Sequence, residues 1–246
     1  MPRPLLIETL AVDSGPMPVV PAVLARDRLA IALRGVFTPA ACARWVEGTL
    51  AARAHWHSDF GGQQFTLGRA WYAHLEQQRS GIYFSNADAA DALVEEHTPG
   101  LRVAVSALAS QVVGAPVVQR PGWCGPGVHV FPPGSEVARL GGSIHYDTEG
   151  LPKAHLEAHA PALSLVVMLQ PAQAGGGLRL WPARHGEHRE RAEPPGEPTL
   201  LSYEAGDAAL FESYRLHQIE PFAGDTPRIS ATAHLAFETG AWHVWF

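Results

Sequence analysis

The spacing of apolar residues changes character near residue 128. Before that point they recur at helical intervals. From Thr38-Pro39 onward, Ala41, Trp45, Val46 and Leu50 fall close to one face of a helix predicted to run to about Arg53. Thr38 is placed to cap it and Pro39 to occupy its first position, where a missing N–H costs nothing. A second helical stretch is predicted from about Asn86 to Val113, cut in two by Pro99-Gly100. The stretch between them, 56–85, is rich in aromatic, Gln and Gly residues and reads as irregular or partly extended.

Beyond 128 the runs are short, apolar or alternating, and punctuated by Gly and Pro. They occupy 128–131, 142–147, 162–170, 177–182, 199–203, 207–213, 217–222 and 228–238. Strands at this spacing predict an all-β sandwich or barrel. The polar, proline-rich stretch 184–198 reads as a loop. We therefore expect one domain over 1–246 of mostly β (α+β) class. In it, 1–127 is a mainly helical support region covering one side of a β core at 128–246.

Composition narrows the function classes. The chain has 246 residues, 17% of them charged, and a formal net charge of −6. With no run of Lys or Arg, a nucleic-acid-binding surface is not expected. No run of about 18 apolar residues predicts a membrane span. The first fifteen residues, interrupted by Glu8 and Asp13, do not read as a signal peptide. Cys42 and Cys124 are the two cysteines, far apart, which suits a reducing compartment and a cytoplasmic location.

The candidate chemistry starts at His145-Tyr146-Asp147. Two residues apart on a strand, His145 and Asp147 share a face and can converge on one ion. The spacing alone says little. With 13 histidines and 24 acids, about one His-x-Asp/Glu is expected by chance, yet such pairs begin at His57, His74, His145, His155, His185 and His188. Context selects His145, which alone falls in a predicted strand, after Gly141-Gly142. Downstream come His217, a Gly-Asp-Thr-Pro turn, and then the strand opened by Arg228-Ile229-Ser230. Arg228, Ser230, Thr232 and His234 share its polar face; Ile229, Ala231, Ala233, Leu235 and Phe237 share the apolar one. A guanidinium on such a face calls for a carboxylate.

The order His145-x-Asp147, His217, Arg228-x-Ser230 resembles the Fe(II)/2-oxoglutarate-dependent dioxygenase superfamily, in its prolyl-4-hydroxylase-like branch. ALSLVVMLQPAQAGGGLRLWP at 162–182 and GDAALF at 206–211 resemble its strand, Gly-Gly turn and strand, and the strand before its distal histidine. The resemblance covers about 128–237 and implies a double-stranded β-helix (jelly-roll) core. It implies that His145, Asp147 and His217 hold Fe(II), and that Arg228, assisted by Ser230, pairs with the distal carboxylate of 2-oxoglutarate. The implied activity consumes O2 and 2-oxoglutarate, releases succinate and CO2, and hydroxylates an unactivated C–H bond.

Two features qualify the resemblance. Many relatives carry a tyrosine near the co-substrate on the first core strand, where this chain reads Val130-Phe131-Pro132-Pro133, so no residue is carried over for that contact. Related halogenases lack the triad carboxylate; Asp147 is present, which favours hydroxylation or another oxidation. A cupin-type metal enzyme usually opens with His-x-His, and a non-catalytic jelly-roll module would not need the triad together with Arg228. The expected substrate is a small molecule (an amino acid or other metabolite), the alternative being a residue in a protein.

Other residues stay open at this level. His155 and His159 lie in the stretch 148–161, either a lid over the metal or a solvated loop. His185 and His188 are expected at the surface. Trp71, Tyr72, Tyr83 and Trp123 could line a pocket or fill the core.

Overall fold

The alternating run after Pro227 becomes the longest strand, and the main sheet is arranged around it. The computed structural model describes residues 6–11, 18–25, 27–187, 194 and 196–246. Five strands come from the first half: β1 (Leu6–Ala11), β2 (Arg28–Arg34), β3 (His57–Asp59), β4 (Gln64–Leu67) and β5 (Val117–Gln119). The second half supplies β6 (Gly127–Phe131), β7 (Ala162–Gln170), β8 (Ala174–Gly175), β9 (Leu178–Arg184) and β10 (Thr199–Leu201). It continues with β11 (Ala208–Glu212), β12 (Arg215–Ile219), β13 (Phe222–Ala223), β14 (Arg228–Glu238) and β15 (Ala241–Trp245). The helices are α1 (Val20–Leu24), α2 (Pro39–Ala51), α3 (Trp71–Glu76), α4 (Ser80–Ser85), α5 (Ala87–His97), α6 (Leu101–Val113), α7 (Glu136–Leu140) and α8 (Lys153–Ala158).

A ten-stranded mixed sheet runs β1-β2-β11-β7-β14-β6-β4-β3, with β15 joining β14 to β5. Facing part of it is a three-stranded sheet, β10-β9-β12. The alternation predicted for β14 sorts its two faces. Ile229, Ala231, Ala233 and Leu235 enter the main core with Leu163, Leu165 and Val167 of β7. Trp45 and Val46 of α2, Val94 of α5 and Val105 of α6 cover that face. On the other face, Leu178, Leu180 and Leu201 of the small sheet pack on Ala30, Ala32, Ala209 and Phe211. Leu165 lies in the central strand β7 with no exposed surface. Leu165→Ala is expected to cost about 2–5 kcal/mol, seen as a melting temperature lower by roughly 5–15 °C in a thermal denaturation scan.

Local expectations are met where chemistry is local. α2 starts at Pro39, and the Thr38 hydroxyl accepts from the Ala41 N–H at 3.2 Å. Pro99-Gly100 separates α5 from α6, with Gly100 at φ +77°. Elsewhere the structure differs. The stretch 56–85 is partly extended, in β3 and β4, but it also forms the helices α3 and α4, which were not expected. The region 142–147 is not a regular strand, but makes a single bridge at His145 opposite His217. The run Arg28–Arg34 forms β2, whose five interior residues are buried. A strand covered on both faces loses the alternation by which it would be recognised. The first half therefore adds five strands to the main sheet besides its helices. β12 begins at Arg215, two residues before the predicted start.

Candidate metal centre

The bridge at His145 brings two distant segments together. His145 and His217 exchange backbone hydrogen bonds at 3.0 Å in each direction, and the Asp147 N–H donates to Ser213 O at 2.9 Å. Gly141 allows the approach, because a Cβ there would lie 2.6 Å from Ile219 O. Both histidines are oriented from behind: Nδ1 of His145 faces Ser143 O at 2.8 Å, and Nδ1 of His217 faces Arg215 O at 2.9 Å. A carbonyl only accepts, so the proton sits on Nδ1 and Nε2 is left as the donor for a metal.

The two Nε2 atoms lie 3.4 Å (His145) and 3.5 Å (His217) from Asp147 Oδ1. The three ligand atoms lie within 4.8 Å of one another. Asp147 Oδ2 is turned away, accepting from the Ser164 hydroxyl at 2.5 Å. Burial would raise the Asp147 carboxyl, but His217 and His145 hold it well below the usual carboxylate range. Burial works against charge on His145 too, yet its hydrogen bond to Asp147 pushes it up to about 9. His217, more deeply buried, is pushed down to about 4 by desolvation. Two imidazole nitrogens and one carboxylate oxygen are a donor set suited to Fe(II), with coordination positions left open.

Arg228 lies nearby with 1% of its surface exposed. Its Nε donates to Gly176 O at 2.9 Å, and an Nη lies 3.4 Å from Ser230 Oγ. Gly176 turns that carbonyl inward at φ +77°, a conformation L side chains rarely adopt. The guanidinium carbon sits 5.5 Å from the Phe131 ring and 5.9 Å from the Tyr203 ring. Among the described residues no carboxylate pairs with Arg228, and burial lowers its pKa to about 10. The Tyr203 hydroxyl, also buried, has no hydrogen-bond partner among the described residues. A buried cation costs several kcal/mol unless an anion meets it.

The triad and Arg228 open into one cavity of about 620 Å³. All four polar-face residues of β14, Arg228, Ser230, Thr232 and His234, line it. His234 is not a fourth ligand in this geometry: its Nδ1 lies 4.0 Å from Asp147 Oδ2 and 3.4 Å from Ser164 Oγ. Among the described residues the other His-x-acid pairs do not form such a centre. Asp59, two residues after His57, is fully buried and paired with Arg79 at 2.9 Å. His155 is buried with its Nε2 3.2 Å from Pro161 O, and His159 reaches His185 O at 3.1 Å. Neither lines the cavity, so the lid reading finds no support in their placement. His185 is half-buried against Tyr146 rather than at the surface, and His188 lies outside the described residues. Trp71, Tyr83 and Trp123 pack together in a satellite core, where the Tyr83 hydroxyl donates to Phe246 O; Tyr72 alone of that group lines the cavity. Cys42 and Cys124 are buried free thiols.

Sequence reasoning missed Ser164, Tyr203 and His129. Ser164 and His129 each left a signal, a single polar residue inside an apolar run (ALSLVVM and GVHVF). Ser164→Ala is expected to weaken iron binding about 10–100-fold, the range carried by groups that orient ligands. An iron(II) titration followed by tryptophan fluorescence would register it, and unchanged affinity would show that Ser164 does not hold the carboxylate.

No protein-family model matches the sequence, and no curated protein does. Solved structures do match. The non-heme α-ketoglutarate-dependent epimerase SnoN from nogalamycin biosynthesis is 17% identical, with TM-score 0.58, over 90% of this chain and 84% of that one. A novel N-substituted L-amino acid dioxygenase from Burkholderia ambifaria AMMD is 18% identical, with TM-score 0.58, over 93% and 90%. AviO1 from Streptomyces viridochromogenes Tue57 is 18% identical, with TM-score 0.54, over 90% and 96%. The chain thus has the fold of 2-oxoglutarate and Fe(II) oxygenases. No helix among the described residues is long and apolar enough to cross a membrane.

Proposed function

We propose that this protein is an iron(II)- and 2-oxoglutarate-dependent oxygenase acting on a small molecule, with the facing sheets as the walls of a jelly roll. The observation that carries the reading is the pairing, within one cavity, of a His145/Asp147/His217 donor set with a buried guanidinium that no carboxylate among the described residues meets. SnoN, whose fold this chain shares, has also been solved with Fe3+, α-ketoglutarate and nogalamycin RO, in keeping with such a cavity.

In this reading His145, Asp147 and His217 hold the iron, and Arg228 pairs with the distal carboxylate of 2-oxoglutarate, assisted by Ser230. When bound, iron and 2-oxoglutarate activate O2, so that R–H, O2 and 2-oxoglutarate yield R–OH, succinate and CO2. The chain's own residues do the rest. The carbonyls of Ser143 and Arg215 fix the tautomers that leave Nε2 free. Ser164 engages Oδ2 of Asp147, so that Oδ1 would be the oxygen offered to the metal. Burial of Arg228 strengthens its pairing with a carboxylate by excluding water. The fold also serves an epimerase, so the outcome at the substrate carbon is set by placement and not by the triad. Two buried thiols suit a cytoplasmic location.

The test is anaerobic titration with iron(II) and then 2-oxoglutarate, watching for the weak visible charge-transfer absorption of a keto acid chelated to iron. We expect the absorption in the wild type and its absence in His145→Ala. Iron binding without it would mean a metal enzyme of another kind; no iron binding would favour the non-catalytic module.

A further inference from the structure

Beyond the triad the cavity continues to an open mouth, and its walls are unlike on two counts. One wall is an unbroken row of rings. Phe60 and Tyr72 are stacked with centroids 6.3 Å apart, Tyr72 and His129 lie 5.8 Å apart, and His129 and Phe131 lie 5.8 Å apart. Phe131 then meets Arg228, so the row runs from the mouth to the cation, and every member lines the cavity. Phe60 is 37% exposed and Leu140, which also lines the cavity, is 64% exposed.

The second feature is charge. Arg228 is the sole Lys or Arg among the described residues lining the cavity, whereas the mouth carries Glu76 and Glu136. With iron and 2-oxoglutarate bound as proposed above, the two positive charges of the metal and the one of Arg228 are matched by Asp147 and the two carboxylates of the co-substrate. What remains uncompensated is Glu76 and Glu136, so the mouth repels anions. Of the cations nearby, Arg79 pairs with Asp59 and Arg179 with Glu220, while Arg139, three residues after Glu136 on α7, is exposed and does not line the cavity. An α-carboxylate or phosphate entering here would be desolvated without a partner.

His129 points to the polar contact a substrate would make. It is 6% exposed and lines the cavity, and among the described residues its Nδ1 has no hydrogen-bond partner. Burial pushes it down to about 3, so the ring is neutral. The hydroxyl of its neighbour Tyr72 accepts from Gln64 Nε2 at 2.5 Å, which leaves Tyr72 its own O–H to donate.

Resting on the oxygenase reading, we propose that the substrate is an uncharged or amine-bearing molecule with a flat, ring-containing body. It lies along Phe60, Tyr72 and His129 and exchanges a hydrogen bond with His129 through a hydroxyl or amine. A free amino acid, whose carboxylate would find no second cation, is thereby excluded.

The test uses three probes of matched shape, 3-phenylpropanol, 3-phenylpropylamine and 3-phenylpropionate, titrated by calorimetry into the Zn(II) protein saturated with 2-oxoglutarate. We expect the alcohol and amine to bind, and the propionate to bind about tenfold more weakly or not at all. His129→Leu, which keeps an apolar body without the nitrogens, is expected to weaken the alcohol about tenfold. Glu76→Gln with Glu136→Gln is expected to weaken the amine but not the alcohol. Propionate binding as tightly as the alcohol overturns the proposal, as does failure of all three at millimolar concentration or indifference of the alcohol to His129→Leu. The first titration, of 2-oxoglutarate itself, separates the two levels. If it does not bind, the oxygenase reading has failed and the proposal falls with it; if it binds and the probes disobey, only the substrate class is wrong.

Discussion

Arg228→Met is expected to abolish 2-oxoglutarate binding while sparing iron. Truncating one partner of a buried, hydrogen-bonded charge pair costs about 2–5 kcal/mol, or roughly 30-fold to several thousand-fold in affinity. The proposed iron ligands stand on other segments, and their orienting carbonyls belong to Ser143 and Arg215, so the metal should still bind. Stability gives an independent reading. Arg228 is buried without a carboxylate among the described residues, so replacing it removes a desolvated charge and leaves the ligand-free melting temperature equal or higher. In the wild type, 2-oxoglutarate at 100 times its dissociation constant should add about 2.7 kcal/mol, roughly 5–10 °C. In the variant that increment should vanish. A ligand-free protein that melts far lower, with the 2-oxoglutarate increment intact, would mean that Arg228 is a structural cation.

Asp147→Ala is expected to lower iron affinity by more than the ~10–100-fold carried by groups that only orient ligands. Asp147 is one of three donors and the sole anion among them. Without it, two neutral imidazoles face a divalent ion with no compensating charge. The fold should survive, because the segment is tied to β12 through backbone bonds at His145 and Gly142 that the substitution does not touch. Circular dichroism checks the fold, and iron(II) titration by fluorescence checks the site. Affinity within about threefold of wild type would sink the assignment of Asp147 as a ligand.

The site was legible in the sequence because its parts follow backbone period. Arg228, Ser230, Thr232 and His234 alternate with Ile229, Ala231, Ala233 and Leu235, and that pattern survives because one face of β14 meets a polar cavity while the other meets helices. The spacing of His145 and Asp147 was read as strand geometry, whereas the structure has one bridge there in place of a strand. Less was legible where both faces are apolar. β2 lies between β1 and β11 with all interior residues buried, and no period marks it. The hairpin of β3 and β4 and the helix α3 bring Phe60, Gln64, Tyr72 and Glu76 to the cavity from a stretch with no regular pattern.

By itself, then, the sequence determined the capped helix at Thr38, the break at Pro99-Gly100, most strands of the second half (though not β8, β15 or the bridge at His145) and the order of the chemically distinctive residues. These are properties of neighbours along the chain, set by dihedral preference and by which residues share a face. The tertiary structure decided that His145 and His217, 72 positions apart, exchange backbone bonds. It also decided that Ser164 holds the second oxygen of Asp147 and that no carboxylate among the described residues reaches Arg228. Partners of that kind depend on sheet order and on the packing of one sheet against another, which local pattern does not encode.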